Sequence, residues 1–563
     1  MQTEDFVQLS LYFLLLVIAT PILGRHMANV FTGKRTVLHG LLGPLENTIY
    51  KVAGIHPLED MGWRRYATNL LWFNAVGILV VFVIQILQGS LPLNPDHLPG
   101  VNWHLALNTA VSFVTNTNWQ SYSGETTMSH GTQMIALSVQ NFVSAAVGMA
   151  VAVALARGIK RVSADGIGNF WADVVGGTVY VLLPLSLLMA IALMAEGVVQ
   201  TFSPAVQAMT LEGAQQTIPL GPVASQIAIK QLGTNGGGYF NANSAHPFEN
   251  PTPLTNFLEM FAIFLIPAAL TFTFGSMIGS RKHGWVIFGA MLAMFLAVLT
   301  VSLYAEYSVN PALGSAQVME GKEVRFGTFG STFFAMLTTA ASCGAINSLH
   351  SSLSPLTGAM ALLNMMVGEV IFGGVGAGLY GMLLFVFMTV FLAGLMVGRT
   401  PEYLGKRIEA REMTLAILAI LAPSAMILLG TGVSVVTPVA LQGLGNIGPH
   451  GFSEILYAFT SASANNGSAF AGLNANSIYY NLTLALAMLV GRFAVIIPVL
   501  GIAGSLVTKK YTPPSPGTFA VDTFLFGALL IGVVLIVGAL TFLPALSVGP
   551  VVEHFLMRQG RGF

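Results

Sequence analysis

Hydrophobic residues in this chain are gathered into ten long runs that are separated by shorter polar stretches. A helix needs about 20 mostly apolar residues to cross the roughly 30 Å hydrocarbon core of a bilayer. The pattern therefore predicts an all-α polytopic membrane protein with ten transmembrane helices. The runs lie near residues 6–24, 68–88, 130–156, 172–197, 253–279, 284–304, 358–397, 413–436, 477–507 and 519–546.

The run at 358–397 is too long for one straight crossing, and its second half is rich in glycine. Lipid tolerates an interrupted helix only where neighbouring protein or a wet cavity satisfies the freed backbone groups. We therefore predict a broken helix near 373–381. The glycines that mark it are Gly373, Gly374, Gly376, Gly378 and Gly381.

Composition agrees with a chain whose surface faces mostly lipid. Hydrophobic residues make up 54% of the 563 positions and charged residues only 8%, against about 25% charged residues in typical soluble domains. The 23 basic and 23 acidic residues cancel, so no nucleic-acid partner is indicated. A single cysteine, Cys343, excludes a disulfide framework. Acidic residues precede the first run, which predicts a retained span and not a cleaved signal peptide.

Lysine and arginine predict the orientation, because inner loops of membrane proteins carry an excess of both. With the amino terminus outside, seventeen basic residues fall in inner loops and five in outer loops, so both termini are predicted outside. The inner residues are Arg25, Lys34, Arg35, Lys51, Arg64, Arg65, Arg157, Lys160, Arg161, Arg281, Lys282, Arg399, Lys406, Arg407, Arg411, Lys509 and Lys510. The outer residues are Lys230, Lys322, Arg325, Arg558 and Arg561.

Four outer segments share one pattern, a short apolar piece followed by a loop rich in Gly, Asn, Ser and Thr. The loops are TNTNWQSYSGE (115–125), TNGGGYFNANS (234–244), SCGAINS (342–348) and NNGSAFAGLNANS (465–477). The preceding pieces, 105–114, 224–232, 329–340 and 452–462, are too short to span a bilayer and predict re-entrant pore helices.

These residue types suit a cation pore. Glycine lets a backbone turn its carbonyls toward an axis, rings of carbonyls replace the hydration shell of a potassium ion, and helix C-termini favour positive charge. The predicted unit is span, pore helix, loop and span, repeated four times around a pseudo-fourfold pore, with one extra helix at each end. The predicted segments are 1–28, 66–160, 170–282, 284–400, 412–510 and 518–563.

Four segments carry a resemblance that extends over essentially the whole chain: NTNWQSYSGE, TNGGGYFNANSAHPFENPTP, TSASANNGSAFAG and VGRTPEYLGK. They resemble the potassium-binding A subunit of the bacterial Kdp potassium-transporting P-type ATPase, whose pore is similar to those of the Trk, Ktr and HKT transporters. The resemblance implies a potassium uptake pump in the bacterial inner membrane, with both termini periplasmic. It implies three partners, namely the P-type ATPase catalytic B subunit, a single-span C subunit and a small F subunit.

The resemblance also implies roles for individual residues. Potassium would be the substrate, held by backbone carbonyls alone. Gln120 would shape potassium affinity, Glu369 would line a lateral tunnel, Arg399 would act in gating, and Arg492 would repel potassium below the filter. The implied filter residues are Thr115, Asn116, Thr117, Asn118, Thr234, Asn235, Gly236, Gly237, Gly238, Ser342, Cys343, Gly344, Ala345, Asn465, Asn466, Gly467 and Ser468.

Several alternatives stay open at this point. Arg492 could form a structural pair with a carboxylate, and Arg399 could be an ordinary positive-inside anchor. No ATP site is expected, because no Asp-Lys-Thr-Gly-Thr motif is present and no Gly-Lys pair is followed by Ser or Thr. An autonomous potassium channel or gradient-driven transporter is the first rival. A membrane-embedded enzyme using Glu369, Arg492 and a histidine is the second, but the histidines lack ligand spacing.

Overall fold

The computed structural model describes residues 2–368, 370–396, 398, 400–513 and 519–562. The helices in this part of the chain are α1 Thr3–Phe31, α2 His39–Ala53, α3 Trp63–Leu87, α4 Trp103–Val114, α5 Gly124–Thr127, α6 Val139–Lys160, α7 Phe170–Gly177, α8 Leu183–Ala195, α9 Val223–Leu232, α10 Pro253–Ile278, α11 Arg281–Tyr307, α12 Gly327–Ala340, α13 Pro355–Met366, α14 Ala377–Met396, α15 Ala410–Ser434, α16 Pro438–Leu441, α17 Gly448–Ser463, α18 Ile478–Thr508, α19 Phe524–Leu546 and α20 Val552–Arg558.

The ten predicted membrane spans are confirmed, since ten helices in the described residues are long and apolar enough to cross a bilayer. Three of them contain a π-helical turn, at Thr132–Ser138 before α6, at Thr178–Leu182 between α7 and α8, and at Ser547–Val551 between α19 and α20. The spans that contain α6 and α10 are mostly buried, whereas α1, α3, α15 and α19 have most of their residues at least partly accessible. The outer ring of helices therefore forms the lipid-facing surface.

The four short pore helices also form, as α4, α9, α12 and α17, within a few residues of their predicted bounds. At 1.5 Å per residue they are roughly 15–24 Å long, too short to span a bilayer. Each ends because the backbone becomes left-handed two positions after its last residue. Three of the helices that follow the loops begin at a Ser or Thr N-cap, Thr252, Ser354 and Ser477, whose side chain accepts a backbone N–H of the first turn.

The chain is interrupted between α13 and α14, after Met366 and before Ala377, which overlaps the predicted break near 373–381. Gly373, Gly374 and Gly376 lie in this interruption, whereas Gly378 and Gly381 are helical. Gly376 ends the break with a φ of +85°, and a Cβ there would lie 2.0 Å from the carbonyl oxygen of Gly148. Gly378 instead allows close packing, since its Cβ would lie 2.4 Å from the nitrogen of Gly373.

The sequence pattern missed the elements that lie in the connections. The helix α2 follows the first span, and three antiparallel hairpins lie in longer connections, so the fold is mostly helical but not purely so. The strands are β1 Val206–Met209, β2 Gln215–Ile218, β3 Val309–Asn310, β4 Ser315–Ala316, β5 Glu402–Tyr403 and β6 Lys406–Arg407.

The hairpin of β5 and β6 carries a buried ammonium group. Lys406 Nζ donates to the carbonyl oxygens of Gly158 at 2.8 Å and Leu506 at 2.5 Å, and also to that of Arg161. These carbonyls belong to the ends of α6 and α18, where a cation compensates the unsatisfied acceptors of both helices.

We expect Lys406→Met to leave these carbonyls without a donor and to lower the free energy of unfolding by about 2 kcal/mol or more. The apparent melting temperature of the detergent-solubilised protein measures the effect. Lys510→Met, at an exposed lysine near the end of α18, is the matched control. Equal melting temperatures for the two variants would contradict the role assigned to Lys406.

Candidate functional site: a ring of four loops

The four glycine-rich loops meet one another in the interior of the protein. A Cβ added to one glycine in each of loops two, three and four would overlap a carbonyl oxygen of the next loop, so these backbones are in direct contact. Counting the loops in chain order, loop two contacts loop three, loop three contacts loop four, and loop four contacts loop one. The distances from the added Cβ are 2.0 Å from Gly236 to Cys343 O, 2.0 Å from Gly344 to Asn466 O, and 2.1 Å from Gly467 to Thr117 O.

Side chains close the ring between loops one and two. Asn116 Nδ2 donates to Thr234 O at 3.0 Å. Gln120 makes a two-point contact with Gly238, donating through Nε2 at 3.0 Å and accepting the Gly238 N–H at 2.8 Å. The predicted filter segments are therefore brought together, and Gln120 lies at the edge of this ring where it joins two loops.

All four loops share one backbone register. In each loop the residues two and four positions after the pore helix are left-handed, so the four loops leave their pore helices with the same backbone shape. The second of these positions is a glycine in loops two, three and four, and Asn118 in loop one. Thr115 is the C-cap of α4, one residue before the register begins. The residues at these two positions are Asn116 and Asn118, Thr234 and Gly236, Ser342 and Gly344, and Asn465 and Gly467; Gly237 in loop two is left-handed as well.

Amide and hydroxyl side chains tie the loops together from within. Asn235 Nδ2 donates to Asn116 Oδ1 at 2.5 Å, and Ser144 on α6 donates to the same oxygen at 2.7 Å. Asn465 Nδ2 donates to Thr117 Oγ1 at 2.9 Å. Because these polar side chains bond to one another inside the protein, the backbone carbonyls of the loops remain the groups suited to an ion.

Cys343 contributes to the ring as a small buried residue. Its thiol donates to Gln231 Oε1 at 3.6 Å, and burial raises the pKa of the thiol to about 11. A raised thiol pKa disfavours the thiolate, so this position contributes to the ring by its small size and its backbone carbonyl.

Arg492 lies close to the loops and to the broken helix, where it contacts α6. Its Nη2 donates to Ser144 O at 3.2 Å, and only 4% of the residue is exposed. A Cβ on Gly148 would lie 2.1 Å from Val375 O and 3.5 Å from Arg492 Nη2, so both groups border the same point of α6. Val375 N–H also donates to Thr234 Oγ1 at 2.8 Å. The broken segment and a buried cation therefore both lie against α6, next to loop two.

The alternative for Arg492 was a structural ion pair with a carboxylate. Among the described residues, Arg492 forms no ion pair. Glu369 and Arg399 lie outside the described residues. A cavity of about 80 Å³ opens beside Arg492 and Asn465 and extends sideways toward Gly368 on the broken segment and Phe542 on α19. Most of its other lining residues are apolar.

Sequence reasoning missed a buried ion pair behind loop two. Lys230 is counted among the outer-loop cations by its position in the sequence, but it is fully buried on α9. Its Nζ donates to Glu249 Oε2 at 2.5 Å and to Asn243 Oδ1 at 2.7 Å. Glu249 Oε1 accepts the Phe240 N–H at 2.8 Å. The pair thus connects the pore helix to the chain that leaves the loop. Its only signal in the sequence is a lysine within an apolar pore helix.

A second buried contact holds the outer end of the fourth pore helix. His450 Nδ1 lies 2.8 Å from Glu553 Oε2. Burial lowers the pKa of His450, but the hydrogen bond to Glu553 and the charges of Glu553 and Glu454 outweigh it, so the net pKa is raised. The contact between His450 and Glu553 therefore contributes its full stabilisation of the fold below the unfolded-state pKa of histidine, about 6.5. That contribution is lost as the pH rises through the raised pKa of His450 in the folded protein.

We expect His450→Gln to flatten the pH dependence of stability in this window. The difference in melting temperature between wild type and the variant should be largest below about pH 6.5 and should shrink toward pH 8. Melting curves in buffers of equal ionic strength measure it. A difference that is constant with pH would show that the charge of His450 does not contribute.

Four re-entrant loops closed into a ring within a ten-span bundle define a pore-loop membrane transport protein. The fold is similar to that of the potassium transporter TrkH from Vibrio parahaemolyticus, with a TM-score of 0.51 and 14% identity, over 88% of this chain and 98% of that one. A family model described as "Potassium-transporting ATPase A subunit" (KdpA) matches residues 10–555. The chain belongs to this family.

Two relatives are similar over nearly their full length. The potassium-transporting ATPase potassium-binding subunit of Nitratidesulfovibrio vulgaris strain DP4 is 56% identical, with all of both chains covered. The protein of the same name from Pseudomonas aeruginosa is 55% identical, over 98% of this chain and 99% of the relative. The family expected from the four sequence segments is thereby confirmed.

Proposed function

We propose that this chain is the potassium-binding and translocating subunit of an ATP-driven, high-affinity potassium uptake pump. The observation that carries the proposal is the closed ring, in which loop backbones from four pore helices contact one another in chain order. Carbonyl rings of this kind replace the hydration shell of potassium. The names of the relatives, potassium-binding subunits of a potassium-transporting ATPase, support the same function.

In this proposal each loop supplies carbonyl oxygens from its left-handed stretch and the residues beside it. Thr115 to Asn118, Thr234 to Gly238, Ser342 to Ala345, and Asn465 to Ser468 form the filter. Gln120 tunes the affinity, because its two hydrogen bonds to Gly238 set the spacing of loops one and two. The ion is the substrate, and no ATP site is proposed on this chain.

The exit route in this proposal runs sideways. The broken segment and Arg492 lie below the ring, and the cavity beside Arg492 leads toward α19, which supports a lateral path to an ATPase subunit. Glu369 would line this path, and Arg399 would act in its gating. Arg492 would hold potassium back from free conduction, since a buried cation repels another.

The proposed partners are the P-type ATPase catalytic B subunit, the single-span C subunit and the small F subunit. The chain would lie in the bacterial inner membrane with both termini periplasmic, in agreement with its distribution of Lys and Arg. The four units would occupy 66–160, 170–282, 284–400 and 412–510, flanked by 1–28 and 518–563.

The rival function is an autonomous potassium channel or gradient-driven transporter. The similarity of the fold to that of the potassium transporter TrkH is compatible with this rival. Affinity purification followed by reconstitution separates the two. We expect an ATPase subunit to copurify, and we expect liposomes with this chain alone to pass little potassium down its gradient. Rapid, selective flux through the chain alone, with no ATPase bound, would favour the rival.

A further inference from the structure

A large cavity, lined by both apolar and charged side chains, lies on the face of the protein opposite the pore loops. It measures about 720 Å³, within the size range of small-molecule sites. The C-terminal ends of α1 and α6, the helix α2 and the start of α7 surround it. Nothing in the transport path described above uses this cavity.

The helix α2 lies beside the lower part of the fourth span. The His39 ring stacks on Tyr180 with centroids 4.2 Å apart, and Tyr180 donates to Glu46 Oε2 at 2.6 Å. Tyr180 is ten residues from the start of its span at Phe170, or about 15 Å along it. The helix therefore lies at the level of the lipid headgroups and upper acyl chains, not in bulk water.

The outer side of α2 is apolar and exposed, with Leu41 77% and Val52 83% accessible. Its inner side, with His39, Glu46 and Tyr50, lines the cavity. An amphipathic helix of this kind places acyl chains on one side and polar groups on the other. The cavity is thus bordered by a lipid-facing element.

Most of the charged side chains around the cavity form ion pairs. Arg157 pairs with Asp173 at 2.6 Å, Arg161 pairs with Asp60 at 2.8 Å, and Glu59 pairs with Arg65, which lies outside the cavity lining. The exposed side chain of Lys160 has neither a hydrogen bond nor an ion pair to any described residue.

Glu46 has two neutral donors, the hydroxyls of Tyr50 at 2.8 Å and Tyr180 at 2.6 Å, and no cation within the described part of the chain. Burial and the bond to Glu46 raise the pKa of Tyr50 well above its usual range, so this hydroxyl stays protonated and donates. Each carboxylate oxygen of Glu46 retains a further acceptor position. The cavity therefore offers one free ammonium and one free carboxylate.

We propose that this cavity binds the headgroup of a zwitterionic phospholipid of the phosphoethanolamine class, with Lys160 on the phosphate and Glu46 on the primary amine. A single anion would satisfy Lys160 and leave Glu46 without a cation. A primary ammonium donates hydrogen bonds to a carboxylate, which strengthens the ion pair. The acyl chains would lie along the apolar side of α2. This site is independent of the function proposed above.

Lipid retention and add-back test the site on the full chain, purified with any subunits that copurify. Native mass spectrometry measures retained lipid, and melting temperature measures the response of delipidated protein to phosphatidylethanolamine, phosphatidylglycerol or inorganic phosphate. We expect phosphatidylethanolamine to be retained and to stabilise. Lys160→Gln and Glu46→Gln should each bind it about tenfold more weakly, because each loses a charge-assisted contact.

Lys160→Gln is the decisive variant, since the lysine holds no described residue in place and its loss should not impair folding. Lys282→Gln, at an exposed lysine on the same face that does not line the cavity, should behave like wild type. The proposal is overturned if both cavity variants retain phosphatidylethanolamine as wild type does. It is also overturned if phosphatidylglycerol stabilises equally, which indicates an anion-only lipid site, or if inorganic phosphate does, which indicates a soluble anion site.

Discussion

Replacing Gly344 by alanine is expected to weaken selective potassium binding at least tenfold while leaving the protein folded. Gly344 has a φ of +84°, and a Cβ there would lie 2.0 Å from Asn466 O. The left-handed backbone alone costs a non-glycine residue roughly 1–2 kcal/mol, and the overlap must push loops three and four apart. Because a carbonyl ring selects by the placement of its oxygens, we expect at least a tenfold loss of potassium affinity.

Potassium-dependent protection against thermal unfolding measures this loss, since a ligand that binds the native state raises the melting temperature. Gly289→Ala on α11 is the matched control, because a Cβ there meets no atom within 4 Å. Gly236→Ala and Gly467→Ala occupy the same register position and should behave like Gly344→Ala. Protection of Gly344→Ala by potassium at wild-type concentrations would contradict the ring of close-packed carbonyls.

Replacing Arg492 by alanine is expected to increase passive potassium leak. A unit charge about 10 Å from an ion contributes roughly 1.7 kcal/mol at an effective dielectric constant of 20, which is more than a tenfold change in ion occupancy. We therefore expect at least a tenfold rise in ATP-independent potassium flux through the reconstituted complex. Potassium efflux from loaded liposomes without ATP measures it.

Arg492→Lys is the matched control, because it keeps the positive charge beneath the ring and should keep the leak low. If Arg492→Ala changes neither leak nor potassium affinity, the charge has no part in the ion path. An equal leak in both variants would instead assign the effect to the hydrogen bond that the guanidinium makes to Ser144.

The spans and pore helices could be predicted from the sequence because their signals are local. Apolar length marks the spans, and the repeated Gly and Asn loops mark the ends of the pore helices. The order in which the loops contact one another could not be predicted, since Gly236, Gly344 and Gly467 reveal their role only through a carbonyl on another loop. The shared backbone register of the loops could not be predicted for loop one either. Its left-handed stretch begins at Asn116, one residue after the predicted start at Thr115, and Asn118 stands where the other loops have glycine.

The misplaced residues share a different cause, which is tertiary burial. Lys230 has the chain position of an outer-loop cation, but the fold buries its side chain in an ion pair with Glu249. The end of the break could not be located from the sequence, because Gly378 and Gly381 resemble helix breakers but lie within α14. The helix α2 was missed because one apolar side on a fifteen-residue helix gives no long hydrophobic run.

Potassium-stimulated ATP hydrolysis by the copurified complex is the most direct test of the central claim, that this ring is the selective entry gate of a pump. Gly237→Asp in loop two is the variant to compare, since Gly237 has a φ of +66° and its added Cβ would lie 3.1 Å from Asn118 Cβ. We expect wild type to be stimulated by potassium and not by sodium, and we expect the variant to lose this selectivity while the complex stays intact. Unchanged selectivity in an intact Gly237→Asp complex would contradict it.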